Sequence, residues 1–203
     1  QDEINRACAG MDVVFHIAAR AGHWGSWDDY YQANVVGTRN VIAACRQNRV
    51  HRLVNCSSPS VIFDNRAHEG VDESYPYPET YESPYPHTKA LAEQEVTRAN
   101  STELLTVSLR PHLIIGPRDR HLLPSVLKAA RSGTLPQVGD GTNRVDISYV
   151  EDVARAFLQA ADRLQPGSPV AGSVYFISQD EPVVLWPWIH DLLARLAYPP
   201  VRL

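Results

Sequence analysis

The chain has 203 residues, of which 44% are hydrophobic and 21% are charged, and its formal net charge is -4. This composition is ordinary for a globular protein of one domain or two small ones. A weakly acidic chain lacks the clustered cations on which nucleic-acid binding depends, so we expect no nucleic-acid partner. No apolar run approaches the roughly 20 residues of a membrane-spanning helix, and no signal peptide is visible. We therefore expect no membrane segment and a cytoplasmic location.

The metal-binding and redox-active residue types are sparse and scattered. Cys8, Cys45 and Cys56 are isolated and odd in number, which predicts reduced thiols packed as small hydrophobic groups. The eight histidines lack the spacing of metal ligands, so we expect no metal site. One of them, His16, lies inside an apolar run and is expected to be a satisfied core or cofactor-loop histidine. Because the chain begins at Gln1, in what looks like the end of a helix, we expect residues to be missing at both ends.

Strand and helix patterns alternate along the chain. Short apolar runs predict strands at residues 13–19, 53–56, 104–109 and 174–177, and the alternating residues 145–150 predict another. Helical periodicity predicts helices at residues 28–48, 83–100, 122–131, 151–163 and 186–197, with Asp28 capping the first and Ser83-Pro84 starting the second. A polar, proline-rich stretch at residues 63–81 predicts a surface excursion. The alternation predicts a parallel sheet covered by helices on both faces, with ligands beyond the carboxyl ends of its strands.

One pair of side chains has the spacing of a catalytic motif. Tyr85 and Lys89 are four residues apart near the start of a predicted helix, so they share a face. A free tyrosine, with a pKa of about 10, is a poor acid or base at neutral pH, and a nearby ammonium would lower that pKa. The pair alone is weak support, because an amphipathic helix with an exposed lysine has the same spacing. However, Ser58 follows a predicted strand and Asn34 lies on the inward face of the preceding helix, which favours a catalytic cluster.

These motifs resemble the short-chain dehydrogenase/reductase superfamily, and within it the extended branch of 3β-hydroxysteroid dehydrogenases and nucleotide-sugar epimerases. The resemblance is carried by Asp12 to Ala19, Asn34-Val35-Val36-Gly37-Thr38, Ser57-Ser58, Tyr85 with Lys89, Arg110-Pro111, Gly116-Pro117-Arg118 and Tyr149-Val150-Glu151-Asp152. It implies a Rossmann-like, doubly wound α/β fold whose first strand, glycine-rich loop and NAD-or-NADP selector precede Gln1. Residues 1–110 and 142–164 would form the NAD(P)-binding domain, and residues 111–141 and 165–203 a partial substrate-binding lobe.

The resemblance also implies a role for each motif residue. Tyr85 would be the acid/base, Lys89 would bind the nicotinamide ribose and tune Tyr85, and Ser58 would hold the substrate oxygen. Asn34 would be a structural or proton-relay residue. Ser57 or Ser60 could replace Ser58 if the strand register differs. The cofactor, NAD or NADP, would contact Ala18, Ala19, Lys89, Pro111, His112 and Leu113, and many relatives dimerise through the helices that carry Asn34 and Tyr85.

Two kinds of relative suggest the substrate, a small hydroxy or keto compound. Residues 21–38 resemble bacterial reductases of 2-alkyl-3-ketoalkanoates, whereas residues 58–63 and 110–119 resemble sterol-4α-carboxylate 3-dehydrogenases. Both substrates pair a β-hydroxy acid with a β-keto acid on a bulky apolar body. The candidate substrate residues are Trp24, Ser60, Arg120 and His121, although Trp24 could instead pack its own loop and the two cations could be solvated.

Two alternatives remain open. A nucleotide-sugar epimerase or dehydratase usually has an arginine where this chain has Val145, and valine cannot grip a diphosphate. A non-catalytic dinucleotide sensor of the same fold typically loses the tyrosine or the lysine, and both are present here. Replacing Tyr85 by phenylalanine separates an enzyme from a sensor.

Overall fold

The computed structural model describes residues 1–22, 24–199 and 201, and the chain forms two compact units. The first unit comprises Gln1–Pro111 and Ala154–Ile177, and the second comprises His112–Val153 and Ser178–Leu203. This division differs from the predicted one in three places. Pro111 and residues 165–177 belong to the first unit, because β3 and β7 pair in its sheet, and residues 142–153 belong to the second.

The elements follow the predicted alternation. The helices are α1 (Asp2–Cys8), α2 (Trp27–Tyr30), α3 (Gly37–Gln47), α4 (Pro84–Ala99), α5 (Leu122–Arg131), α6 (Val150–Arg163) and α7 (Leu185–Arg195). The strands are β1 (Val13–His16), β2 (Arg52–Cys56), β3 (Leu105–Pro111), β4 (Ile114–Ile115), β5 (Arg144–Val145), β6 (Ser148–Tyr149), β7 (Val174–Ile177) and β8 (Val183–Val184). A π-helical segment, Tyr31–Val36, joins α2 to α3, and a 3₁₀ turn, Pro59–Ile62, follows β2.

Three local predictions are corrected. The strand expected at residues 145–150 is two short strands, β5 and β6, which residues 146–147 separate, and α6 begins at Val150. The helix expected from Asp28 begins earlier, since the Ser26 hydroxyl accepts the Asp29 N–H at 3.2 Å and so caps α2. That helix is also not uniform, because its middle turn is π-helical.

The sheet of the first unit is parallel throughout, in the order β1-β2-β3-β7. Leu53 points to one face, where it packs in a core cluster with Ile42 of α3 and Val96 of α4. Arg52 points to the other face, and its Nη1 donates to the Ala161 carbonyl of α6 at 3.1 Å. The predicted parallel α/β sheet with helices on both faces is therefore confirmed.

A buried row of polar side chains crosses this sheet beneath α3 and α4. His16, Asn55 and Ser108 occupy aligned positions on β1, β2 and β3, and all three are buried. Asn55 Nδ2 donates to Ser108 Oγ at 3.0 Å, and His16 Nε2 lies 2.9 Å from the Thr38 hydroxyl. His16 is thus a satisfied core histidine, as expected, although the strands are not purely apolar.

The second unit has its own small core. Strands β4 and β6 pair in parallel, and β5 and β8 pair antiparallel. Helices α5 and α7 meet around Ala130, Trp186 and Ile189, and the Trp186 indole N–H donates to the Val138 carbonyl at 3.2 Å. Across both units, no helix formed by the described residues has the length and apolar character needed to cross a bilayer.

Candidate functional site

The candidate site lies at the carboxyl end of β2, where α4 brings its first turn. Ser83 is the N-cap of α4 and Pro84 occupies its first turn, so this helix begins as predicted and carries Tyr85 at its start. Ser58 follows β2, and its side chain lies close enough to Tyr85 to influence the pKa of the phenol. The backbone of a parallel sheet therefore brings a hydroxyl and a phenol together from segments far apart in sequence.

The structure distinguishes between the three candidate serines. Ser58 Oγ lies 2.8 Å from Ser60 Oγ and accepts the Ser60 N–H at 3.2 Å. Ser57 Oγ is buried, and it has no hydrogen-bond partner among the described residues. Because successive residues of an extended chain point to opposite sides, Ser57 faces away from the hydroxyl cluster that Ser58, Ser60 and Tyr85 form.

Lys89 is held inside the protein rather than on the surface. Only 6% of the residue is exposed, and its Nζ donates to the Cys56 carbonyl at 2.6 Å. Burial lowers the pKa of Lys89, while Cys56 and Glu93 act in the opposite direction. An ammonium carries three donors, and this carbonyl is its one hydrogen-bond partner in the described part of the chain. The alternative of an amphipathic helix with an exposed lysine is therefore wrong.

The protonation of Tyr85 differs from the expectation. Burial raises the pKa of Tyr85, and the nearby Ser58 hydroxyl only partly opposes that effect. Lys89 does not lower it, because the ammonium is directed at the Cys56 carbonyl. The phenol also packs edge-on against the ring of Tyr30, with the centroids 6.5 Å apart. At neutral pH, the phenol of Tyr85 in this arrangement is protonated.

Asn34 connects the loop after β1 to α4. Its Oδ1 accepts the Arg20 N–H at 2.7 Å, and its Nδ2 donates to the Arg20 carbonyl at 3.1 Å and to Thr88 Oγ1 at 3.0 Å. Asn34 lies within the π-helical segment, whose wider turn displaces a side chain from its α-helical position. Both amide hydrogens are committed to protein atoms, so Asn34 ties the helix that carries Tyr85 to the end of β1.

The loop between β1 and α2 depends on a glycine. Gly25 has φ of +147°, and a Cβ there would lie 3.0 Å from the ring of Tyr30 and 3.0 Å from the guanidinium of Arg20. The Tyr30 hydroxyl donates to the Trp24 carbonyl at 3.2 Å, yet the Trp24 side chain is left 90% exposed. Trp24 therefore does not pack against its own loop.

The remaining predicted residues divide between the units. In the first unit, Ala18 and Ala19 are exposed directly after β1, and Pro111 is buried at the end of β3. His112, Leu113, Arg120 and His121 belong to the second unit. There, His112 Nδ1 lies 2.6 Å from the Asp146 carbonyl, Leu113 is half-buried, and Arg120 and His121 are exposed.

The carboxyl edge of the first unit fits the nicotinamide end of a dinucleotide. The free donors of Lys89 suit ribose hydroxyls, and the small side chains of Ala18 and Ala19 leave room for a planar ring. Next to them, Ile17 is 55% exposed, which is apolar surface that a bound ring would cover.

The sequence analysis missed a buried ion pair close to this site. Arg110 and Glu93 are 2% and 0% exposed, and their charged groups approach to 2.6 Å. Arg110 had been noticed only as part of the family resemblance. A charged residue in an otherwise uncharged strand, and a carboxylate four residues after Lys89, were the signals that could have revealed the pair.

Comparison with known proteins finds relatives that are named as reductases and dehydrogenases. It is 48% identical over 199 residues to a 2-alkyl-3-oxoalkanoate reductase of Stenotrophomonas maltophilia, a match that covers 96% of this chain and 60% of that protein. It is 36% identical over 201 residues to the decarboxylating sterol-4-alpha-carboxylate 3-dehydrogenase of Homo sapiens, covering 98% of this chain and 54% of that protein. The chain thus spans little more than half the length of these relatives.

A solved structure shares the fold over almost the whole chain. MoeE5 in complex with UDP-glucose and NAD matches with a TM-score of 0.79 and 29% identity, covering 97% of this chain and 66% of that one. The predicted Rossmann-like fold is confirmed by this likeness. Since the model of the 3-beta hydroxysteroid dehydrogenase/isomerase family matches residues 1–201, the chain belongs to that family.

Proposed function

We propose that the protein is an NAD(P)-dependent oxidoreductase that interconverts a secondary alcohol and a ketone on a bulky apolar substrate. The observation that carries the proposal is that the side chains of Ser58 and Tyr85 lie close enough to interact, with Lys89 buried one helical turn away. Relatives named as reductases and dehydrogenases support it.

The residues of this chain would manage the proton and the oxygen. A bound nicotinamide would supply or accept the hydride at the carbinol carbon. In the reducing direction, Tyr85 donates its phenolic proton to the ketone oxygen as negative charge develops there. Ser58 aligns that oxygen by a hydrogen bond, and Lys89 holds the cofactor ribose with its free donors. Burial raises the pKa of Tyr85, so the phenol is protonated at neutral pH and holds the proton that this direction requires.

Within this class we propose a 2-alkyl-3-oxo acid as the substrate, ahead of a sterol 4-carboxylate. The first choice follows the 48% identity to a 2-alkyl-3-oxoalkanoate reductase, against 36% to a sterol dehydrogenase. The exposed indole of Trp24 offers apolar surface for a long alkyl chain. A nucleotide-sugar epimerase is the competing function, since MoeE5 was solved with UDP-glucose and NAD.

The test follows reduced nicotinamide by its absorbance while a 2-alkyl-3-hydroxy acid, a 3β-hydroxysteroid and a UDP-sugar are each offered with NAD or NADP. The chain has only two lysines, so Lys89→Met and Lys128→Met form a matched pair. We expect turnover with the hydroxy acid, a loss of at least about 100-fold in Tyr85→Phe and Lys89→Met, and wild-type rates in Lys128→Met. Conversion of the UDP-sugar alone would replace this proposal by the epimerase function.

A further inference from the structure

Behind Lys89, one turn further along α4, lies the fully buried carboxylate of Glu93. Arg110 of β3 grips it with two bonds, from Nε to Oε2 at 2.9 Å and from Nη2 to Oε1 at 2.6 Å. The Tyr77 hydroxyl donates a third bond to Oε1 at 2.6 Å. The carboxylate is therefore fixed in position as well as charged.

Stability alone is a poor explanation for this ion pair. Burying two charges costs several kcal/mol of desolvation each, and apolar residues of similar volume often stabilise a core as well or better. Arg110 Nη1 is also buried, and no described residue accepts its hydrogen bond. The guanidinium lies instead between the rings of Tyr77 and Phe176, at 5.7 Å and 5.1 Å from their centroids.

The pair is well placed to position the catalytic helix. Lys89 attaches α4 to the end of β2 through the Cys56 carbonyl, and Glu93 attaches it to β3 through Arg110. Two attachments one turn apart, on neighbouring strands, fix both the rotation and the height of α4. Tyr85, one turn before Lys89, is carried by the same rigid segment.

The pair also sets the charge around Lys89. The titratable groups that face Lys89 are the Cys56 thiol from β2, the His16 imidazole from β1 and the Glu93 carboxylate from its own helix. The pKa of His16 is lowered to about 4 and burial raises the pKa of Cys56, so both are neutral at physiological pH. Glu93 is then the one anion in this set that offsets the burial of the ammonium.

We propose that Glu93, locked by Arg110 and Tyr77, is a positioning residue that keeps Lys89 charged and aimed at the carboxyl end of β2. This role rests on the proposed dehydrogenase function, in which Lys89 holds the cofactor ribose. It assigns no contact between Glu93 and the substrate.

The test uses the two lysines as reporters. Labelling the lysine Cε with ¹³C gives one NMR signal for Lys89 and one for Lys128, which serves as an internal reference. We expect the titration midpoint of Lys89 to move to lower pH in Glu93→Gln, because a stabilising anion has been removed. The matched control is Glu95→Gln on the same helix, whose partner Arg39 is 50% exposed, and it should leave the midpoint unchanged.

A second variant guards against misfolding, since Glu93→Gln leaves Arg110 buried without its anion. Glu93→Gln combined with Arg110→Gln removes both charges and retains a polar pair, and it should move the Lys89 midpoint in the same direction. An unmoved midpoint in a folded variant would overturn the proposal. Loss of folding in both variants would also overturn it, by showing that the pair serves the fold itself.

Turnover separates this inference from the proposed function. With the hydroxy-acid substrate, we expect Glu93→Gln to lower kcat by about 10- to 100-fold at nearly constant KM and to move the alkaline limb of the pH profile to lower pH. If the wild-type protein turns over no substrate while the Lys89 midpoint still responds to Glu93, the proposed function fails and the coupling between the two residues stands. Normal turnover in the variant would instead refute the positioning role.

Discussion

The buried imidazole of His16 should make the stability of the protein depend on pH. His16 ends β1 with 9% of its surface exposed, and its pKa is lowered from 6.5 to about 4, mainly by burial and also by the charge of Lys89. The Thr38 hydroxyl donates its single hydrogen to the Asn34 carbonyl at 2.6 Å. It must therefore accept from His16 Nε2, which fixes the neutral tautomer that carries its proton on that nitrogen.

The magnitude follows from the difference between the folded and unfolded pKa values. Between pH of about 6.5 and about 4, the unfolded chain binds a proton at His16 that the folded chain does not. The stability that the neutral imidazole contributes is thus fully present above a pH of about 6.5, and it is lost as the pH falls from there towards about 4. At about 1.4 kcal/mol for each pKa unit, the loss amounts to roughly 3 kcal/mol.

Urea unfolding at a series of pH values, for the wild type and for His16→Gln, measures this contribution. The glutamine amide can donate to Thr38 but does not titrate. Carboxylates affect both proteins alike, so the difference between their free energies of unfolding isolates His16. On acidification from a pH of about 6.5 to about 4, we expect the wild type to lose roughly 3 kcal/mol of stability relative to His16→Gln. Above a pH of about 6.5, the difference should be constant. If the free energies of unfolding of the two proteins changed equally with pH, the assignment of a buried, neutral His16 would be refuted.

Three further predictions concern the same unit. Asn34→Ala removes three hydrogen bonds and should lower the free energy of unfolding by about 2–4 kcal/mol, read from the urea midpoint at constant m-value. Gly25→Ala should cost about 1–3 kcal/mol in the same assay, and more than Gly167→Ala, whose Cβ would have no neighbour within 4 Å. Cys8 and Cys45 are buried, and the pKa of Cys45 is raised to about 12, so both should resist a thiol reagent until the chain unfolds. Equal reaction of all three thiols in the native protein would contradict that last prediction.

The sequence predicted those parts of the fold that depend on local periodicity. An apolar, β-branched run predicts a buried parallel strand, and the structure has strands at residues 13–16, 52–56 and 105–111. The four-residue spacing of Tyr85 and Lys89 requires only a helix to place both on one face, and α4 supplies it. Ser58 could be placed because parallel strands end at a common edge.

The rest depends on contacts between distant segments, which periodicity does not encode. The π-helical turn at Asn34 follows from its bonds to Arg20 and to Thr88, 54 residues away. The protonation of Tyr85 depends on where Lys89 points, and that is decided by a backbone carbonyl with no side-chain signature. Residues 165–177 belong to the first unit because β7 pairs with β3. A short apolar run predicts a strand but does not specify which strand it pairs with.

The polar row across the sheet allows a direct test of what stabilises the sheet beneath the site. The two possibilities are specific hydrogen bonds between buried polar side chains and hydrophobic packing alone. Asn55 and Ser108 are 2% and 1% exposed, and their side chains are joined by a hydrogen bond of 3.0 Å. Ser108→Ala strands the buried amide and should cost about 1–3 kcal/mol of stability, because an unsatisfied buried donor loses its full hydration.

In the background of Asn55→Leu, the same Ser108→Ala change should cost about 1 kcal/mol or less, since no polar partner remains to be stranded. A double-mutant cycle by urea unfolding gives the coupling energy directly. If Ser108→Ala costs the same in both backgrounds, the two side chains do not interact, and the aligned register of β2 and β3 beneath α4 loses its support. A clear coupling would instead show that the layer carrying Lys89 and Glu93 is held by specific polar contacts, because the register that joins Asn55 to Ser108 also places Arg110 beneath Glu93.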